Sequence, residues 1–461
     1  MKVLLIVYDN GSYIHWFPLG VAYLASAIRN AGHEVTIYNQ DAYHYPASHL
    51  KEYLKKNNFD VVGLSIIAGY YQYQKMLKIS EAINSVPNKP IYILGGHGPS
   101  PDPEYFLKKT KADVVCIGEG ELTIVDLLNS LENKLDLHKV KGIAFMEDKK
   151  LVRTEPRQLI KDIDTIAYPA WDLFPMDYYT LVRIPHIENN ERCIPMLSGR
   201  GCPYRCNFCY RMDKGFRARS SKSIIDEIKI LKEKYNITCF SFFDELLMSS
   251  EARTRELCTA IMDSKLNIKW ECNGRLNFAT PEILKLMKKS GCVFINYGIE
   301  CMNDDILKVM NKHLTVKQIV AGIEATLNEG ISPGLNIIFG NIGEDEATLK
   351  SGVDFLLKYD DGAQLRTIRP VTPYPGSDLY TYAIKNGLIK DTADFYENKH
   401  LNSDLLTVNF TKLSDEEYYK ALFEANKKLI ENYFENKKKQ LIKTTEKLYF
   451  EKDAAFRGFR H

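Results

Sequence analysis

The chain has 461 residues, enough for about two to four domains, and its 61 basic and 59 acidic side chains leave a formal charge of only +2. So balanced a surface offers no broad field for nucleic acid, and no apolar run approaches the roughly 18 residues that span a bilayer, so neither partner is expected. The opening Met1–Asp9 is too short in apolar residues for a secretory signal and, with ten scattered cysteines, points to a reducing cytoplasm rather than a disulfide framework.

Residues 1–140 alternate strand-like and helical runs. Apolar stretches at Lys2–Tyr8, Glu34–Asn39, Asp60–Ser65, Pro90–Gly95 and Asp113–Gly118 read as strands, with amphipathic runs such as Leu19–Ala31, Tyr71–Ser85 and Glu121–Leu131 among them. Five β-α units of this length predict an α/β fold, a doubly wound, flavodoxin-like parallel sheet. Such sheets bind ligands beyond the carboxyl ends of their strands, where the strand order reverses. Loops there carry glycine: Gly95-Gly96-His97-Gly98 and Gly118-Glu119-Gly120-Glu121 let backbone approach a large flat ligand. None has the G-x-G-x-x-G spacing of a dinucleotide site. His15, His44 and His97 read as loop hydrogen-bonders rather than metal ligands.

Residues 141–191 read as a linker. A short hairpin, Gly142–Val152, precedes Tyr168-Pro169-Ala170-Trp171-Asp172-Leu173-Phe174-Pro175, whose prolines fix an extended path and whose Trp171 and Phe174 suit packing. A second alternation fills residues 192–395. Strands at Ile194–Ser198, Cys239–Asp244, Lys269–Asn273, Val293–Ile299, Gly334–Phe339 and Ala363–Ile368 are separated by helical runs at Ser221–Tyr235, Glu251–Ser264, Pro281–Ser290, Thr315–Glu329 and Asp345–Tyr359. This predicts a partial, TIM-like (β/α)6 barrel, with its site at the carboxyl ends of the strands. Those ends lead to Asp244-Glu245, to Asn273 and Arg275, to Glu300, to Asn341 and to Arg369.

The first of these strands runs into Gly201-Cys202-Pro203-Tyr204-Arg205-Cys206-Asn207-Phe208-Cys209-Tyr210. The spacing C-x3-C-x2-C supplies three thiolates from one loop, enough for three irons of a [4Fe–4S] cluster, and leaves the fourth iron open. Ten cysteines scattered over 461 positions would produce these offsets about 0.005 times per chain. Zinc is the competing metal, with Cys193 or a histidine as fourth ligand, but structural zinc sites pair two knuckles and no second knuckle follows. Residues 396–461 form a helical tail. Ser414 and Glu417 spell a capping box that opens an amphipathic helix to about Lys439, with Leu422, Ala425, Leu429 and Tyr433 near one face. It reads as closing the barrel or docking the domains, and the terminus Ala455–His461 reads as disordered.

With Phe208 before its third cysteine, the loop matches C-x3-C-x-aromatic-C and resembles radical S-adenosylmethionine (SAM) enzymes. The preceding segment resembles the cobalamin-binding domain of many such enzymes, in Pro18-Leu19-Gly20-Val21-Ala22-Tyr23-Leu24-Ala25, Gly95-Gly96 and Ile117-Gly118-Glu119-Gly120-Glu121. The chain thus resembles the cobalamin-dependent radical SAM family, and within it the class B methyltransferases. That resemblance implies a [4Fe–4S] cluster on Cys202, Cys206 and Cys209, SAM on the open iron, and cobalamin near Gly95, Gly96, Gly118, Glu119 and Gly120. It places SAM near Phe208, Tyr210, Asp244, Glu245, Arg275 and Glu300. Acids suit the amino group and hydroxyls of SAM, and Arg275 suits its carboxylate. Some cobalamin proteins use Asp-x-His-x-x-Gly to put histidine on the lower cobalt face; here the first strand ends in Asp9-Asn10-Gly11-Ser12, so no such ligand is expected.

The implied reaction moves a methyl group from methylcobalamin to an unactivated carbon of a small molecule through a 5′-deoxyadenosyl radical, with flavodoxin or ferredoxin as electron donor. The motifs do not separate this from oxidative cyclisation or rearrangement without methyl transfer. A cobalamin- or redox-sensing binding protein would leave SAM uncleaved. Methylthiotransferases on RNA are disfavoured, because their first domain supplies three further cluster cysteines and residues 1–140 hold only Cys116. No residue singles itself out as catalytic, and the substrate is not legible.

Overall fold

Five strands of the first half form a parallel sheet: β1 (Lys2–Val7), β2 (Glu34–Asn39), β3 (Val61–Ser65), β4 (Ile91–Gly95) and β5 (Val114–Cys116). The computed structural model describes residues 1–12, 14–184, 186–188, 190–212 and 215–456; of the terminus read as disordered, residues 457–461 lie outside them. The strand order is β2-β1-β3-β4-β5, the flavodoxin order, which reverses between β1 and β3. These strands are apolar on both faces because helices cover both. Val3, Leu5 and Val7 lie under helices Leu19–Asn30 and Glu121–Glu132, while Leu4 and Ile6 lie under Ala47–Lys56, Tyr70–Asn84 and Pro103–Thr110. Helices Ala47–Lys56 and Pro103–Thr110 escape the sequence reading. The first buries little beyond Leu50 and Leu54, and the second is a short helix started by Asp102, whose side chain accepts from Tyr105 N–H.

The hairpin read as the start of the linker extends this sheet instead: β6 (Ile143–Glu147) pairs antiparallel with β5, and β7 (Lys150–Arg153) with β6. The proline-rich run is strapped to helix Leu19–Asn30. Ala170 N–H donates to the Ala22 carbonyl (3.0 Å), and Arg29 pairs with Asp172 (2.7 Å). Trp171 and Phe174 pack against Phe17, with ring centroids 4.5 and 4.8 Å apart.

The second sheet contains β8 (Cys193–Met196), then, beyond the antiparallel ribbon of β9 (Gly199–Arg200) and β10 (Arg217–Ala218), β11 (Cys239–Phe242), β12 (Lys269–Gly274), β13 (Cys292–Glu300), β14 (Ser332–Phe339) and β15 (Arg369–Pro370). Its order β8-β11-β12-β13-β14-β15 is sequential and parallel, a barrel left open at β15. Side-chain caps start the covering helices where the sequence puts them: Ser220 for Ser221–Tyr235, and the capping boxes Thr315–Gln318 and Asp345–Thr348.

The sixth strand is the main departure. Ala363–Ile368 is irregular, and only Arg369–Pro370 pairs with β14. The backbone of Ile368 bonds to the tail helix instead, donating to Asn426 Oδ1 (2.8 Å) and accepting from Asn426 Nδ2 (3.0 Å). That helix, Asp415–Phe450, opens with the expected Ser414–Glu417 capping box and runs well past Lys439, since no glycine or proline stops it. Tyr418, Leu422, Ala425 and Leu429 are buried, and Tyr418 stacks on Phe339 (4.9 Å) while donating to its carbonyl (2.8 Å). The tail therefore covers the open barrel edge, where unpaired backbone would lie exposed. Before it, Ala383, Ile389, Phe395, Tyr396 and Val408 pack on the far face of the first sheet, so the chain crosses back to its first half. Among the described residues no helix is long and apolar enough to cross a membrane.

Candidate cofactor site between the two sheets

A cavity of about 290 Å³ opens at the carboxyl ends of β1 and β3, where the strand order reverses. One wall is Gly95, Gly96 and His97 after β4 and the loop Gly118–Glu121 after β5; the facing wall is Gly199, Arg200, Met212, Phe243 and Glu245 of the second half. Glycine shapes it. Gly96 has φ +93°, and a Cβ there would lie 2.4 Å from the Ile66 carbonyl oxygen, whereas a Cβ on Gly20 would meet no atom within 4 Å. Gly118 is left-handed (φ +82°) with equally open space, so this backbone can press flat against a ligand. His15 bonds to the neighbouring Trp16 carbonyl and His44 reaches across to Asp9 after β1; His97 instead lines the cavity, edge-on to Tyr210 at 5.9 Å.

Glu119 lines the cavity and also makes a set of ion pairs. Its carboxylate pairs with Arg200 (2.9 Å) and Arg217 (2.9 Å) and accepts from Ile160 N–H (3.0 Å), while Arg200 also holds Glu121 (2.5 Å). Burial works against the Glu119 charge, but the two guanidinium groups outweigh it and hold its carboxyl below the usual range. These ion pairs tie the glycine loop to both strands that flank the cysteine loop. Arg200 stands two residues before Cys202, yet no local pattern marks partners 79 and 81 residues away.

The cysteine loop is fixed from several sides. Gly201 N–H donates to Glu245 (2.9 Å), Asn207 N–H to the Met310 carbonyl (2.9 Å), and Leu379 N–H to the Asn207 carbonyl (2.8 Å); Asn207 and Asn341 exchange amide bonds. Cys206 is buried, Cys202 half-buried and Cys209 exposed. A hydrogen bond from Cys209, opposed by burial and aided by Lys312 and Arg275, holds the Cys206 thiol below its usual range. A thiol so placed is a ready metal ligand. Among the described residues no three His, Cys, Asp or Glu side chains close into a metal-binding set. Cys193 lies beside Cys239, buried at the opposite end of β8, which removes one of the two fourth ligands read for zinc, a histidine being the other. Three cysteines on one pinned loop, two cations beside them and no fourth ligand at Cys193 fit an iron–sulfur cluster with an open corner.

The other residues read for SAM divide. Glu245 lines the cavity, but Asp244 points the opposite way, wholly buried, and accepts from the backbone N–H and hydroxyl of Ser198. It therefore positions the strand that enters the cysteine loop and has no surface for SAM. Arg275 stacks on Tyr204 (3.5 Å) and donates to the carbonyls of Lys312 and His313, with its buried Nε left unpartnered. Glu300, left-handed (φ 70°) at a slip in the β13–β14 register, pairs with Lys312 (2.8 Å), whose ammonium lies 6.0 Å from the Phe208 ring. Tyr210 packs against Gly376. Arg369 does not join them: it is 64% exposed and pairs with Asp404, because its short strand hangs on the barrel edge.

A flavodoxin-ordered sheet whose glycine loops face a half barrel with a C-x3-C-x2-C loop defines a class: a B12-binding domain joined to a radical SAM core. The B12 binding domain profile matches residues 10–128, and the Radical SAM superfamily profile residues 196–356. An uncharacterized methyltransferase of Pyrococcus horikoshii, PH0819, is 31% identical over 401 residues, covering 84% of each chain. The anaerobic magnesium-protoporphyrin IX monomethyl ester cyclase of Rubrivivax gelatinosus is 27% identical over 397 residues, 82% of this chain and 69% of that one. Among solved structures, the radical SAM methyltransferase TsrM of Kitasatospora setae, bound to cobalamin and a [4Fe–4S] cluster, shares the fold with a TM-score of 0.68 and 19% identity over 84% of this chain and 75% of that one. The chain belongs to the cobalamin-dependent radical SAM family, and its cofactors are a [4Fe–4S] cluster, SAM and cobalamin.

Proposed function

We propose that this enzyme transfers a methyl group from methylcobalamin to an unactivated carbon of a small molecule. One observation carries the reading: the glycine loops and the strand ends beside the cysteine loop are facing walls of one cavity. When bound, the cluster supplies SAM with an electron, SAM the hydrogen-abstracting 5′-deoxyadenosyl radical and cobalamin the methyl group. Cys202, Cys206 and Cys209 hold three irons. Glu245 and Glu300 take the amino group and hydroxyls of SAM, Phe208 and Tyr210 flank it, and Arg275 draws on its free Nε for the carboxylate. Gly95, Gly96, Gly118 and Gly120 cradle the corrin with backbone, while Glu119 keeps that cradle against the barrel. Electrons come from a flavodoxin or ferredoxin, and ten reduced cysteines accord with a cytoplasmic setting.

Anaerobic reconstitution with iron, sulfide and hydroxocobalamin tests this. We expect cluster and corrin absorbance, 5′-deoxyadenosine on reduction, and a product heavier than its substrate by one CH2. Alanine at any one of the three cysteines removes cluster absorbance; zinc in the purified chain, or a cluster surviving each substitution, refutes the assignment. The cyclase relative, similar over most of the chain, favours oxidative cyclisation as the second reading, and loss of hydrogen from the product identifies it.

A further inference from the structure

The barrel holds a second cavity, of about 320 Å³, beside the glycine-lined one. Phe243 lines both, 41% exposed, with its ring edge-to-face against Trp16 at 4.8 Å. The polar wall draws on alternate positions of β12: Glu271 and Asn273 line the cavity, with Cys272 between them, while Trp270 is fully buried. Asn336 Nδ2 donates to Asn296 Oδ1 (2.7 Å), Asn296 Nδ2 to Asn273 Oδ1 (3.0 Å), and Asn273 Nδ2 to the Asp244 carbonyl (2.8 Å). This row fixes every amide in one orientation.

Glu271 stands beside the row with a different status. It accepts from Ser241 Oγ, and no lysine or arginine among the described residues pairs with it; Arg183, which lines the same cavity, donates to the Glu191 carbonyl (2.7 Å). Burial raises its carboxyl above the usual range, against the Ser241 bond, as expected of an enclosed acid that no cation pairs with. A carboxylate so placed gains most from a ligand that brings the missing positive charge, and aromatic faces in the same cavity favour a cation as well.

We propose that this cavity receives the substrate and that Glu271 selects one bearing a protonated amine, held between the carboxylate and the Trp16–Phe243 rings. The assignment rests on the enzyme reading above. Directly beside Glu271 an anionic group meets a like charge, and neutral hydroxyls forgo the charge-assisted bond, which is about twice as strong as a neutral one.

Three probes of one shape test it: benzylamine, benzyl alcohol and benzoate, titrated into the reconstituted holoenzyme by saturation-transfer NMR. Benzylamine is expected to bind at least about tenfold more tightly than the other two. Glu271→Gln, which keeps the shape and the Ser241 bond, abolishes that preference, and Glu271→Asp, which keeps the charge, retains part of it. Corrin absorbance verifies that each variant is folded. Benzylamine that fails to bind, or binds no better than benzyl alcohol, overturns the assignment, as does a preference that survives in Glu271→Gln. Failure of the enzyme reading shows elsewhere, as wild-type protein that releases no 5′-deoxyadenosine on reduction whatever the probes do.

Discussion

Arg200 is the residue whose loss tests the coupling between the two halves most directly. Its side chain is 15% exposed, serves Glu119 (2.9 Å) and Glu121 (2.5 Å), and lies 5.2 Å from the Tyr23 ring. Removing one member of a buried ion pair strands its partner and costs about 3–5 kcal/mol. Arg217 still holds Glu119 after Arg200→Ala, so the main stranded charge is Glu121, and the expected loss is about 3 kcal/mol. Removing Glu121 as well relieves that charge. The double variant Arg200→Ala/Glu121→Ala should therefore be less destabilised than the sum of the singles, by about 1–3 kcal/mol. Urea unfolding under anaerobic conditions, followed by tryptophan fluorescence, gives both numbers. A single-variant loss below about 1 kcal/mol, the range of surface pairs, or strict additivity in the cycle, would show that the clamp does not couple the halves.

Burial raises the Asp244 carboxyl to about 6 from 3.8, against the bonds from Ser198. The folded state therefore holds that proton more tightly, so stability present at low pH falls as pH rises from about 4 to 6, by about 3 kcal/mol. Asp244→Asn, which can still accept from Ser198 N–H, should flatten this slope in urea titrations across that window; an unchanged slope rejects the assignment. Glu119 has the opposite sign: its lowered carboxyl contributes stability above about pH 4.5 that is lost as pH falls through its folded value, and Glu119→Gln removes that loss. Gly20→Leu fills open space at the cavity and improves helix propensity, so unfolding should be unaffected while cobalamin affinity, read by absorbance titration, drops at least about tenfold. Gly96→Ala should weaken both, since its Cβ meets the Ile66 carbonyl at a left-handed φ.

The cysteine loop, the order of the β-α units and the capped helices are legible because each is written in local spacing. Ser221–Tyr235 and Glu251–Ser264 have the bounds their periodicity predicts. What escapes depends on partners far along the chain. Asp244 and Glu245 are adjacent acids after one strand, and nothing in their order says which faces the cavity; the bond to Ser198, 46 residues earlier, decides it. Ala363–Ile368 has the composition of a strand but gives its backbone to Asn426. Arg369 sits at a strand end like the other polar residues, yet an edge of two residues leaves it facing solvent. Glu271 lies in mid-strand, where periodicity marks it only as the polar face, and no motif distinguishes a barrel-facing acid from a solvent-facing one.

Three separate devices hold the two sheets at one spacing, and only the ion pairs lie in the cofactor walls themselves. The linker contributes an aromatic cluster, with Phe17 of the first half against Trp171, Phe174 and Tyr179. The Arg200–Glu119–Arg217 ion pairs clamp the glycine loop to the ribbon flanking the cysteines. Residues 383–408 return from the barrel to pack on the far face of the first sheet, so the first half is gripped from two sides. Burying three or four aromatic side chains is worth several kcal/mol, comparable to what a buried ion pair loses when broken. Hinge opening must break all three together, at a cost no single contact sets. A chemistry that brings two large cofactors to one substrate needs reacting atoms held near contact distance. Here that distance is set by the packing of the chain on itself, which leaves Gly95, Gly96 and Gly118 of the walls free to face a ligand.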